Sequence, residues 1–79
     1  MNTQRLEQVP IEKLVPYARN ARTHSKEQIA QLRSSLREFG FVSPAVIDNN
    51  YNILVGHGRI AAAREEGYKT VPCVFAEDL

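Results

Sequence analysis

Asn52-Ile53-Leu54-Val55-Gly56-His57-Gly58-Arg59-Ile60-Ala61-Ala62-Ala63-Arg64-Glu65-Glu66-Gly67 changes character twice. Its apolar start reads as a short strand, Gly56-His57-Gly58 breaks that strand, and Arg59 to Glu66 are helix formers that Gly67 stops. A strand therefore runs through a glycine turn straight into a helix. Just upstream, Asp48-Asn49-Asn50 is turn chemistry, because Asn and Asp tolerate positive φ, and Ala45-Val46-Ile47 is a short apolar strand, so residues 45–55 form a hairpin. Just downstream, Thr70-Val71-Pro72-Cys73-Val74-Phe75 is a final strand, with Pro72 expected at its start or on an edge.

Further upstream, Ser25 is placed as a helix N-cap, with Gln28 completing a capping box and Ile29, Leu32, Leu36 and Phe39 following at spacings of three and four. Gly40 ends this helix as a left-handed cap, and Pro44 prevents its resumption. Val9 to Pro16 suit one edge strand running into a turn, and the polar run Tyr17 to His24 is an ordered loop. The expected order is strand, helix, hairpin, helix, strand. That order implies an α/β (α+β) domain with two main helices on a small mixed sheet.

A chain of 79 residues holds one domain, and at this size folding buries only about 60% of the surface of the unfolded chain. It is 43% hydrophobic and 24% charged, the balance of an ordinary globular protein. Cys73 is the single cysteine, which excludes an internal disulfide, and with two separated histidines it gives no zinc-ligand spacing. No metal ligands are expected. Ten basic and nine acidic side chains leave a net charge of +1, so no global field draws the chain onto nucleic acid. Without an apolar spanning run or a secretion leader, it reads as cytoplasmic and not membrane-bound.

The chemistry concentrates at Gly56-His57-Gly58-Arg59. A glycine turn opening a helix gathers free backbone N–H groups and the positive end of the helix dipole at one point, which suits phosphate. Gly56 and Gly58 let the backbone approach a ligand, Arg59 offers a fork of donors, and His57 adds a hydrogen bond or proton transfer. The same two glycines also serve a plain tight connection, and the pattern is neither a Walker A loop nor a dinucleotide fingerprint.

Elsewhere, Arg33 and Arg37 share one side of the first helix, either as a solvated face or as a DNA- or partner-facing strip. Glu65 and Glu66 read as surface charge, His24 first as an exposed neighbour of the Ser25 cap and second as a ligand contact, and Phe39, Phe41, Tyr68 and Phe75 as core or core-edge aromatics. No second carboxylate pairs with Asp48 or Asp78 to hold catalytic metals.

Three ordered blocks resemble the ParB N-terminal domain and its relative sulfiredoxin. They are Val9-Pro10-Ile11-Glu12-Lys13-Leu14 with Asn20-Ala21-Arg22; Leu36-Arg37-Glu38-Phe39-Gly40 with Pro44; and Ile53 to Arg59 with Ala62. The resemblance spans nearly the whole chain. It implies a nucleotide site shared between the turn Gly56, His57, Gly58, Arg59 and the segment holding Asn20, Arg22, Thr23 and Ser25, taking CTP or ATP with magnesium. Gly56 and Arg59 agree with both families. His57 stands where partition proteins have Glu and sulfiredoxin its reactive Cys, so sulfiredoxin chemistry is absent, and Gly58 removes one potential phosphate contact. The turn, with Tyr17 to Ser25, is most similar to ParB-like domains preceding phage and bacterial DNA methyltransferases.

The expected function is a nucleotide-binding regulatory module of a DNA-handling protein, in a partition or DNA-modification context. It would be one domain over residues 1–79 of a longer chain, acting on DNA directly or through another domain, with a homodimer open. Two alternatives stand beside it. One is a nucleotide-hydrolysing or phosphotransfer enzyme using His57 or Glu27, with nuclease activity open by resemblance; the other is a DNA or protein interaction domain with a degenerate pocket.

Overall fold

A computed structural model describes residues 5–16 and 24–78. Its elements are β1 (Leu6–Pro10), β2 (Val15–Pro16), α1 (Lys26–Phe39), β3 (Ala45–Ile47), β4 (Asn52–Val55), α2 (His57–Glu65) and β5 (Thr70–Phe75). Turns of 3-10 helix lie at Ile11–Lys13 and Ala76–Asp78. The five strands form one mixed sheet in the order β1-β5-β3-β4-β2. β1 runs antiparallel to β5 and β3 antiparallel to β4, while β3 and β5, and β2 and β4, are parallel.

The expected single opening strand is in fact two. Ile11–Lys13 turns the chain after Pro10, which lacks a donor to continue the ladder, so β1 and β2 take opposite edges of the sheet. Pro72 also departs from expectation, because β5 is interior. It faces Gln8 of β1, and the pairing with β3 begins only at Cys73, so no ladder to β3 is asked of it.

Alternation sends Val9, Ala45, Ile47, Ile53, Val71, Cys73 and Phe75 to one face, where Leu36 of α1 and Ile60, Ala62 and Ala63 of α2 bury them. The small Ala62 and Ala63, both fully buried, let α2 lie close to the sheet. Cys73 is inert there, its thiol pushed up to about 11 by burial, then by Glu7. Phe39 is not a core aromatic: it is 67% exposed at the end of α1, whereas Phe41 and Tyr68 pack against the core and against each other.

The α1 start is as expected. Ser25 Oγ accepts from the Gln28 N–H at 3.1 Å and Gln28 Oε1 from the Ser25 N–H at 3.0 Å. The hairpin turn differs in detail, since Tyr51, not an Asn, takes positive φ (66°). Asp48 makes that tolerable: its carboxylate accepts from the N–H groups of Asn50 and Asn52 and from Asn52 Nδ2, and these bonds, the Asn52 side chain's first, hold its pKa below the ordinary value.

Arg33 and Arg37 do not form a free strip, nor are Glu65 and Glu66 free surface charge. Arg33 bonds Glu66 at 2.6 Å and Glu65 at 3.0 Å, and Arg37 bonds Glu66 at 2.6 Å. Both arginines are committed to holding α1 against α2. Among the described residues no helix is long and apolar enough to cross a membrane.

Candidate functional site

Gly56 is the pivot between β4 and α2, with φ 105° and ψ 20°, a left-handed conformation that side chains disfavour. A Cβ there would lie 3.2 Å from the Ala45 Cβ, a tight contact that glycine avoids. Among the described residues no side chain caps α2. Because its first backbone bond runs from Ile60 N–H to Gly56 O, the N–H groups of the preceding turn have no carbonyl within the helix to bond. α1 satisfies its own start through Ser25, whereas the positive end of α2 has no such cap among the described residues.

The three side-chain-bearing candidates play different parts. Arg59 lies back along the turn: Nη1 donates to the Ser43 carbonyl, the guanidinium stacks over the Phe41 ring at 5.1 Å, and Nη2 comes within 3.4 Å of a Cβ position on Gly56. Burial lowers its pKa. His57 is half-buried, and its Nε2 is shut off from solvent with no hydrogen-bond partner among the described residues. Its pKa is lowered first by burial and then by His24. Ser25 is exposed; its oxygen is taken up in capping, leaving its hydroxyl proton to donate.

Gly58 is buried and is approached from the other shared segment. A Cβ on it would come within 2.8 Å of His24 Nε2 and 3.0 Å of Leu32 Cδ1. The chain just ahead of α1 thus lies directly on the first turn of α2. His24 was read from the sequence as an exposed neighbour of the cap. It is half-buried and supplies an imidazole beside the side chain that Gly58 lacks. The signal that could have found it is that glycine, since a missing side chain in a ligand turn leaves room for one from elsewhere. Asn20, Arg22 and Thr23, and with them Arg19, lie outside the described residues. Glu27 is exposed in the first turn of α1.

A glycine turn opening an uncapped helix, met by the segment ahead of the first helix, is the arrangement that the resemblance implies, and residues 1–78 match the ParB N-terminal domain. The chain belongs to the ParB N-terminal domain family. It is 46% identical over 70 residues to the ParB-like nuclease domain-containing protein YnaK of Escherichia coli (strain K12), covering 89% of this chain and 80% of that one.

Among solved structures, this ParB N-terminal domain is similar to the C-terminally truncated chromosome-partitioning protein ParB of Caulobacter crescentus complexed with CTP-gamma-S, at a TM-score of 0.80 and 31% identity. That match covers 89% of this chain but 43% of the partition protein, and another structure of the latter is complexed to the centromeric parS site. Sulfiredoxin of Arabidopsis thaliana, 23% identical with a TM-score of 0.76 over 90% of this chain and 83% of its own, shares the fold.

Proposed function

We propose that this ParB-like domain binds a nucleotide through its phosphates at the Gly56–Arg59 turn and passes that state to DNA, directly or through a neighbouring domain. The observation that carries the reading is the contact of His24 with Gly58, which joins the segment ahead of α1 to the uncapped start of α2. The likeness to a partition protein held with CTP-gamma-S supports CTP as the nucleotide, with ATP as the alternative.

The chain's own residues divide the work. The backbone N–H groups of His57, Gly58 and Arg59 face a phosphate with the helix dipole behind them. Arg59 braces the turn through Ser43 and Phe41 and brings Nη2 to the Gly56 side, and Ser25 offers a hydroxyl proton. Asn20, Arg22 and Thr23 complete the pocket in this reading. Magnesium would arrive on the phosphates, because no group of three or more His, Cys, Asp or Glu side chains among the described residues makes a metal cage. The fit test for the nucleotide is the start of α2, left without a side-chain cap among the described residues: its free N–H groups are donors that an anion would satisfy.

In this reading the domain is regulatory rather than catalytic, is one unit of a longer cytoplasmic protein, and serves partition or DNA modification, including attachment to a methyltransferase. Pairing with a second copy would let the bound nucleotide alter grip on DNA. Equilibrium binding of CTP, ATP and GTP with magnesium, together with a labelled-nucleotide turnover assay, tests it. One nucleotide is expected to bind without turnover; turnover would move the reading to a hydrolase. Salt-sensitive retention on DNA with no nucleotide binding would move it to an interaction domain.

A further inference from the structure

Resting on the phosphate-site reading above, we propose that His57 makes ligand binding at this turn proton-linked, its ring taking up a proton as a phosphate settles against the start of α2. His57 Nε2 is closed off from solvent and unpartnered among the described residues, so a ligand at the turn acts on the ring through its charge and not as a direct hydrogen-bond acceptor. Its residue is the first of α2, where the positive end of the helix opposes an imidazolium.

Burial, then the neighbouring His24, lower the His57 pKa, and the positive end of the helix also opposes charge there. A phosphate reverses the balance, because its negative charge acts at the spot where those influences converge. The surroundings hold no counterweight among the described residues. His24 faces the turn from ahead of α1, Leu32 from α1 itself, and Ala45 from β3; Arg59 is the cation of the same helix turn, and no carboxylate contributes to the His57 shift. Arg19 and Arg22 lie outside the described residues.

The neighbouring His24 opposes charge on the His57 ring, and the phosphate offsets that opposition. A relative with Glu at the position of His57 would not draw a proton in this range. Binding here would tighten as pH falls through the imidazole range, which makes His57 the residue that sets the conditions under which ligand is held.

The test uses the whole chain and two probes, CTP with magnesium and inorganic tripolyphosphate. Calorimetry at about pH 6 and about pH 8, in buffers of different ionisation heat, is run on the natural protein and on His57→Gln. The natural protein is expected to gain about fivefold more affinity toward acid than His57→Gln, with buffer-dependent heats reporting proton uptake. Equal pH dependence in the two proteins overturns the proposal while leaving the phosphate site standing. No binding of either probe to the natural protein overturns both. Independently of the variant's folding, the His57 ring signals of the natural protein are followed by NMR: their titration midpoint should rise when CTP is added, and an unmoved midpoint overturns the proposal.

Discussion

The His24 imidazole lies so close to Gly58 that a methyl group on that glycine would come within 2.8 Å of His24 Nε2. The contact joins segments far apart in sequence and places a second imidazole at the position where Gly58 carries no side chain. Because Gly58 has no positive φ and the clashing atoms are side-chain ends, Gly58→Ala should fold. A gain of about 1 kcal/mol in helix propensity offsets the displacement of His24 and Leu32. Urea unfolding should therefore show a net change within about 1 kcal/mol. NMR titration should show His57 protonating at a higher pH once His24 is pushed aside.

Gly56 should behave in the opposite way. Its φ of 105° strains any side chain, and a Cβ would crowd Ala45 at 3.2 Å. Gly56→Ala should cost about 1–2 kcal/mol in urea unfolding.

Stability should also depend on pH through His57. Its folded pKa is depressed, so below the unfolded value the unfolded chain binds a proton that the folded chain does not, and stability falls as pH drops toward the folded pKa. Thermal melts of the natural protein should lose more on acidification through the imidazole range than those of His57→Gln.

A separate acid effect belongs to Glu66. The hydrogen bond from Arg33, then Arg37 and the charges of both arginines, hold its carboxyl below the ordinary value. Its contribution is therefore present above the unfolded carboxylate pKa and lost as pH falls through the folded one. Glu66→Gln should lower the melting temperature at neutral pH and flatten its decline under acid, since one arm of the α1–α2 clamp is then gone throughout.

Much of this was legible in the residue order. The Ser25 capping box, the hairpin and the helix opened by Gly56 follow from local chemistry, and local chemistry is what a sequence displays. What escaped depends on which surfaces meet. Nothing local tells that Val9 and Val15 belong to strands on opposite edges, that Pro72 sits in an interior strand, or that Phe39 faces water. Arg33 finds Glu66 only because α1 crosses α2, and His24 finds Gly58 for the same reason. Of the candidate site, the turn was legible, whereas the packing of His24 over Gly58 was not, because it depends on where α1 meets α2.

The central claim is that one ligand is held jointly by the start of α2 and the segment ahead of α1. Backbone amide NMR of the whole chain, titrated with CTP, ATP or GTP and magnesium, measures this most directly. Shifts gathered at residues 24–28 and 56–59 for one nucleotide are the expected result. Silence with all three, or shifts confined to the exposed Phe39 and Val42, would contradict it.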